Sequence, residues 1–398
     1  MGEQFDRAAS LTQLEKAVRE CKRNVSRKAG VMDAYIHALA FTRDIRDDLL
    51  AGKYKLRPGK IVKIYRPKYR EAVAPWFRDR VWQRSMCNNG VYDDLTGSFI
   101  YDNMACQKKK GVDLAIRRVI GFLQRLYRED PKAPIYGKHL DIKKYFPSTP
   151  HKAIKVLDRQ KITEPMYLPY LDEIVDSVHD PRPQEEIDAD PFGERGTGLG
   201  SQINQLHQIA LLDKLDHELK TFCRFYIRFN DDFLILDHDR ATVERADRLI
   251  QSTLAGMGLQ MVDKAGMFIA QKTGFYFLRK KFILTDTGKI VIRLHKTALK
   301  EERKTLEGMK RCLDRGEITM EQVQQHYQSW VANAEYAGDA PIRAMDKFYT
   351  SVFRQKPHYK RKRRYLYGSR TERKEAPAGS GAREHGAKSG EREAARRT

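Results

Sequence analysis

The stretch that most constrains the fold is "YIRFNDDFLILD", residues 226–237. Two short runs rich in Ile, Leu, Phe and Tyr flank Asn230, Asp231 and Asp232. Runs of this length broken by Asn-Asp predict a strand, a tight turn and a returning strand. A lone hairpin is marginal in water, so other strands or helices must cover it. Its tip carries two adjacent carboxylates, in a chain with 75 Lys and Arg against 53 Asp and Glu and a formal net charge of +22. Basic residues fall along the whole chain, and such a surplus favours a polyanionic partner, nucleic acid before an anionic membrane surface.

Several classes are set aside. No apolar run approaches the roughly 18 residues of a membrane span. The start "MGEQFDRAAS" has no apolar core of a secretory signal, and Asp6 breaks the myristoylation pattern. The five cysteines are far apart, with no CxxC pair, which supports neither a zinc nor a disulfide framework. The expectation is a reducing, cytoplasmic setting. At 398 residues the chain is long enough for two or three domains.

Periodicity orders the rest. The first 50 residues read as helix, with Leu14, Val18 and Cys21 on one face. Ile61–Tyr65, a turn at Pro67-Lys68 and a return over Glu71–Pro75 predict a basic β-hairpin, followed by a helix from about Phe77. Val112, Ile116, Val119, Leu123 and Leu126 mark an amphipathic helix. Residues 176–195 read as an acidic, Pro-containing loop whose acids (Glu185, Glu186, Asp188, Asp190) are solvated. After about residue 290 the pattern is helical, with Gly316 closing one helix and Thr319 and Gln322 forming a capping box for the next. From Gln355 the chain turns basic and Gly/Ala-rich, and its latter part reads as disordered.

Asp141 in "HLDIKKYF" ends a second strand-like stretch, 90 positions before Asp231. If the two strands are neighbours, the acids meet in one pocket. Mg2+ takes hard oxygen ligands, one or two carboxylates plus phosphate oxygens. Two such ions about 3.5–4 Å apart serve the attacking 3′-hydroxyl and the leaving pyrophosphate. The acids would hold the metals, and the basic surroundings the polyanions.

"HLDIKKYF", "GTGLGSQINQ" and "YIRFNDDF", in this order and spacing, resemble reverse transcriptase motifs, the last being similar to the Tyr/Phe-x-Asp-Asp box. "YRPKYREAVAPWFRDRVWQ" and "SFIYDNMACQKKKGVDLAIRRV" resemble the fingers of prokaryotic reverse transcriptases. The resemblance covers about residues 55–350. The Gly-rich segment is most similar to that of diversity-generating retroelement enzymes and their relatives: Gly200 and Gln205 match, and Asn204 stands where Ser is usual. The resemblance implies an α+β right-hand polymerase fold. Residues 1–135 would be N-terminal helices and fingers. Residues 136–290 would be a palm of antiparallel sheet plus helices, with a fingers insertion around 147–200. A helical thumb over 291–354 and a basic tail over 355–398 would complete it.

It also implies roles. Asp141 and Asp231 would hold two Mg2+ ions, Mn2+ being an admissible substitute, with Asp232 assisting and the Ile142 carbonyl a further ligand. Phe146 would be the aromatic gate that selects dNTPs against ribonucleotides. Lys63, Lys68 and Arg70 would hold the triphosphate. Gly200 and Gln205 would sit beside nucleotide and template. Lys264, with Lys272 competing, would protonate pyrophosphate. "FYFLRKKF" is similar to the primer-grip box, with Arg279 in place of Gly. Lys296, Lys300, Arg303 and Lys304 would contact the backbone of an RNA/DNA hybrid, read by shape and phosphates. Expected partners are a template RNA and a small basic accessory protein, with no membrane. Two rivals share these residues: a defence-associated enzyme with non-templated or protein-primed synthesis, and a non-catalytic RNA-binding protein on a polymerase scaffold.

Overall fold

The computed structural model describes residues 2–361, apart from 24, 26–27, 65–69 and 199. Lys68 and the side chain of Arg70 therefore lie outside the described residues, as does the tail from 362. Near the N-terminus the helix Leu11–Cys21 starts where Ser10 accepts a hydrogen bond from the Gln13 N–H, and it buries Leu14, Ala17, Val18 and Cys21. The predicted hairpin forms as strands β1 (Lys60–Ile64) and β2 (Arg70–Ala74), followed by the helix Phe77–Met86. Trp82 on that helix is fully buried and meets Phe5 and Tyr170 edge-on. The same core takes in Leu157, Tyr167, Leu171 and Leu206, so the segment after residue 147 packs on the N-terminal helices.

The central sheet is antiparallel throughout. Its strands are β3 (Tyr136–Ile142), β4 (Phe225–Phe229), β5 (Asp232–Asp237), β6 (Met261–Asp263) and β7 (Phe268–Ile269). The order is β4-β5-β3-β6, with β7 also on β3. In β5, Phe233, Leu234, Ile235 and Leu236 are all buried. Successive side chains point to opposite faces, so both faces of this strand are covered, which explains its unbroken apolar run. Phe233 and Ile235 join Leu215, Leu219, Val243, Ile250 and Leu254 from the helices Asp213–Lys220 and Arg240–Gly256.

One charged cluster lies inside this architecture. Arg228 of β4 is 0% exposed. Its guanidinium donates to Asp216 through Nε (2.8 Å) and Nη2 (2.5 Å), and to the carbonyls of Ile209 and Asn230 at 2.9 Å each. Tyr226 donates its hydroxyl to the same Asp216 carboxylate at 2.6 Å. Arg228 thus ties the helix Asp213–Lys220 to the turn that carries Asp231.

A second sheet, β8 (Phe275–Phe277), β9 (Lys280–Leu284) and β10 (Ile290–Leu294), leads to the C-terminal helices Ala298–Asp314, Met320–Ala334 and Asp339–Phe353. The β8–β9 turn places Leu278 and Arg279 at φ 48 and 61, a left-handed region costly to side chains with a Cβ. The predicted capping box at Thr319 and Gln322 is present, and Gly316 takes φ 71 past the end of the preceding helix. Leu306, Val323, Tyr327, Val331 and Tyr349 form the bundle's core.

Residues 176–195 depart from expectation. They contain a short helix, Gln184–Ala189. Glu185, Glu186 and Asp188 are exposed, but Asp190 is not a solvated acid. It accepts from Arg182 at 2.8 Å and from Arg195 at 2.6 Å, while Asp180 accepts from Arg182 and from the Arg195 N–H. The chain is α+β: helices with a β-hairpin, a central antiparallel sheet with helices packed on it, and a C-terminal helical bundle.

Replacing Arg228 by Ala strands the Asp216 carboxylate in the interior. The expected cost is about 3–5 kcal/mol, while Arg228→Met with Asp216→Leu recovers most of it. Chemical denaturation of the three proteins checks both; a single Arg228→Ala loss below about 1 kcal/mol would refute the assignment.

Candidate active site

β3 and β5 are direct neighbours, and their register sets Asp141 across from Asp232. β4 and β5 close at Phe229 and Asp232, leaving Asn230 and Asp231 as a two-residue turn. Asn230 takes φ 59, a conformation Asn tolerates better than most residues, and the Arg228 guanidinium holds its carbonyl. Asp231 is thereby fixed at the tip. The structure brings together the three acids singled out in the sequence.

Little neutralises them. Lys264, just after β6, places its ammonium 2.5 Å from Asp141 Oδ2 and 2.5 Å from Asp232 Oδ1. His139, two residues before Asp141 on the same face of β3, lies 3.1 Å from Asp232 Oδ1 through Nε2. Asp141 Oδ1 is buried without a hydrogen-bond partner. The Asp231 carboxyl is pushed up to about 6, first by burial and then by the charges of Asp141 and Asp232. Burial also works against ionised Asp232, but its hydrogen bonds to His139 and Lys264 outweigh that and hold it below the usual carboxylate range. Burial opposes the charge on Lys264, yet the two carboxylates raise its pKa. An orphaned carboxylate oxygen and an acid that resists ionising describe a cluster short of positive charge. Oxygen donors of this kind fit Mg2+ or Mn2+.

The remaining candidates are distributed around this point. Ile142 ends β3 and is buried. Phe146 is half-buried, against Tyr145, and its carbonyl accepts from Thr197 N–H at 2.9 Å. Lys63 is exposed on β1, opposite Glu71. Gly200 makes its close approach to β2: a Cβ there would lie 2.7 Å from the Ala74 Cα and the Val73 carbonyl oxygen. Gln205, with Arg80, Arg84 and Gln202, lines a cavity of about 360 Å3. Lys296, Lys300, Arg303 and Lys304 are exposed at the start of the first C-terminal helix, far in sequence from the acids. Sequence reasoning passed over Arg228 and His139. His139 shares its strand face with Asp141, a period-two signal that could have found it; Arg228 reads as an ordinary surface cation.

No family model matches the chain, and no curated protein does. Among solved structures it is similar to telomerase from Candida albicans in complex with the TWJ fragment of telomeric RNA, at 12% identity and a TM-score of 0.44, covering 75% of this chain and 57% of that one. Apo telomerase from Candida tropicalis aligns at 11% identity and a TM-score of 0.42, covering 79% and 64%. The chain therefore spans less than two thirds of the telomerase chains it matches.

A carboxyl whose pKa is raised by folding favours the folded state while protonated. In chelator, stability is full below the ordinary carboxylate pKa of about 4 and declines as pH rises through about 6. Asp231→Asn removes that decline and is the more stable protein at pH 7, by about 1–3 kcal/mol. Thermal melts of both proteins across this range check it; parallel pH profiles would sink the idea.

Proposed function

We propose that this chain is an RNA-directed DNA polymerase, a reverse transcriptase of a bacterial or phage retroelement of the diversity-generating kind or its relatives. The observation that carries the reading is the register Asp141 to Asp232, with Asp231 in the adjoining turn, which gathers three acids on two paired strands. Two Mg2+ ions held by Asp141 and Asp231, with Asp232 and the Ile142 carbonyl assisting, would activate a primer 3′-hydroxyl and neutralise the leaving pyrophosphate.

The chain's own residues then position and balance charge. Lys264 Nζ is held protonated between Asp141 and Asp232 and carries the proton that pyrophosphate takes up. His139 orients Asp232. The ring of Phe146, five residues after Asp141, closes the sugar side against a 2′-hydroxyl. Lys63 on β1, with Lys68 and Arg70 following it in sequence, would draw the triphosphate. Gln205 and the cavity it shares with Arg80 and Arg84 face the template. The exposed cations from Lys296 to Lys304 lie along the backbone of an RNA/DNA hybrid. Residues 1–135, 136–290 and 291–354 divide these tasks as fingers, palm and thumb. A dedicated template RNA and a small basic accessory protein belong to the same reading. Among the described residues no helix is long and apolar enough to cross a membrane.

Primer extension on an RNA template with dNTPs and Mg2+ tests this. Wild type extends, and Asp231→Ala with Asp232→Ala loses at least about 10²-fold, the scale of removing a stabiliser of transition-state charge. Errors clustered at template adenines support the diversity-generating kind, and products unrelated to the template point to the defence-associated one. RNA binding without extension, with co-purified RNA present, leaves a binding protein. Lys300→Ala with Lys304→Ala weakens hybrid binding irrespective of sequence. It lowers the slope of log affinity against log salt by about 1 per lysine; an unchanged slope removes these residues from the interface.

A further inference from the structure

Away from the palm acids, one cluster combines metal-binding side chains with a buried ring nitrogen that lacks a hydrogen-bond partner. His151 opens the helix His151–Lys161 and is 4% exposed. Its Nε2 lies 2.8 Å from the Gly196 carbonyl oxygen. A carbonyl only accepts, so Nε2 carries a proton, and in the neutral ring Nδ1 presents a lone pair. Nδ1 is buried and has no hydrogen-bond partner. It points at two carboxylates, with Asp176 Oδ1 at 3.5 Å and Glu194 Oε2 at 3.6 Å. Three acceptors facing one another repel unless a cation lies between them.

The spacing suits such a cation. The three ligand atoms lie within 4.8 Å of one another. A tetrahedral ion with bonds of about 2.0–2.1 Å sets its ligands about 3.4 Å apart. Among the described residues, the cation paired with the cluster is Lys155, whose Nζ is 2.7 Å from Asp176 Oδ1 and 2.8 Å from Oδ2. It can stay on Oδ2 while Oδ1 turns to an ion. With His151 neutral, two carboxylates and one ammonium leave a surplus negative charge. The Asp176 and Glu194 side chains are 48% and 47% exposed, so an ion can enter and water can complete its shell.

We propose that His151 Nδ1, Asp176 and Glu194 bind one divalent transition-metal ion, with Zn2+ the best match. An imidazole nitrogen among the donors favours such an ion over Mg2+, in contrast to the all-oxygen palm acids. The chain lacks a cysteine framework for zinc, and these residues are 25 and 18 positions apart along it, so the site exists only in the fold. The ion joins three segments: the start of the helix His151–Lys161, the end of the helix Leu168–Asp176, and the strand-like stretch after Asp190. That stretch already pairs with its neighbour through His151 N–H to the Glu194 carbonyl, Gly196 N–H to the Thr149 carbonyl and Thr197 N–H to the Phe146 carbonyl, each at 2.9 Å. The ion would therefore staple the segment bearing Phe146 to the one that leads to Gly200.

The test is Zn2+ alone, titrated into the chelator-stripped full chain against a chromophoric competitor. Expected is a tight site of one Zn2+ per chain that persists in Asp141→Asn with Asp231→Asn. His151→Ala weakens it by more than the about 10–100-fold typical of losing an outer-shell partner. Glu194→Gln changes an exposed side chain that no core residue depends on, and it weakens the site at least about 10-fold, which keeps the test decisive if His151→Ala unfolds. Co2+ in the same site gives visible absorption that both variants lose. Zn2+ affinity unchanged in Glu194→Gln, or Zn2+ binding that disappears with the palm acids instead, overturns the proposal and leaves His151 as an imidazolium paired with two carboxylates.

Discussion

A guanidinium without access to water holds the carboxylate end of this molecule in place. Arg228 satisfies Asp216 with two of its nitrogens and uses what remains on the carbonyls of Ile209 and Asn230. Burying such a pair gains little stability by itself, since desolvation consumes most of the attraction. Its value here lies in direction. The backbone of the Arg228 residue also bonds to the loop 102–104, through Arg228 N–H to the Asp102 carbonyl and Met104 N–H to the Arg228 carbonyl. One residue thus fixes the turn, the helix behind it and the segment beside it.

The balance of charge changes over a short distance. Behind the sheet, Asp216 is matched by Arg228 and by the Tyr226 hydroxyl, and nothing is left over. In front, Asp141, Asp231 and Asp232 share Lys264 and His139, and Asp141 keeps an oxygen with no partner. A structural cluster is closed with its own counter-charges, whereas a binding cluster leaves the balance to an incoming group. Lys138, one residue before His139, makes a structural tie instead: its ammonium joins Asp247 and Asp263 at 2.5 and 2.8 Å and links the helix Arg240–Gly256 to β6.

Much of this was legible in the sequence, for identifiable reasons. Hairpin, helices and caps follow from local chemistry: two short apolar runs broken by Asn-Asp at 230–231, period 3.6 in 112–126, Thr319 with Gln322. The meeting of Asp141 with Asp231 and Asp232 was legible as a condition, that two strands be neighbours, which the register meets. What escaped were side chains whose partners lie on other elements. Arg228 sits between apolar residues like any solvent-facing cation on an alternating strand. Asp190 reads as one acid among four, yet Arg182 and Arg195 close on it because the chain folds back between them. His151, Asp176 and Glu194 share no pattern at all. Composition predicts how many charges a chain has, but not which of them find each other.

Gly200 has a mechanical consequence. Its N–H donates to the Val73 carbonyl at 3.2 Å, and its Cα surface leaves no room for a side chain against Ala74. Gly198 is nearly as close, with a Cβ there 3.0 Å from the same carbonyl oxygen. Contact this tight, backbone on backbone, transmits displacement without slack. The hairpin of β1 and β2 cannot swing independently of the helix Gln202–Ala210, which starts two residues later. Any molecule that pulls on the hairpin therefore also shifts the helix that carries Gln205, so β2 and that helix answer as one lever rather than as two separate grips.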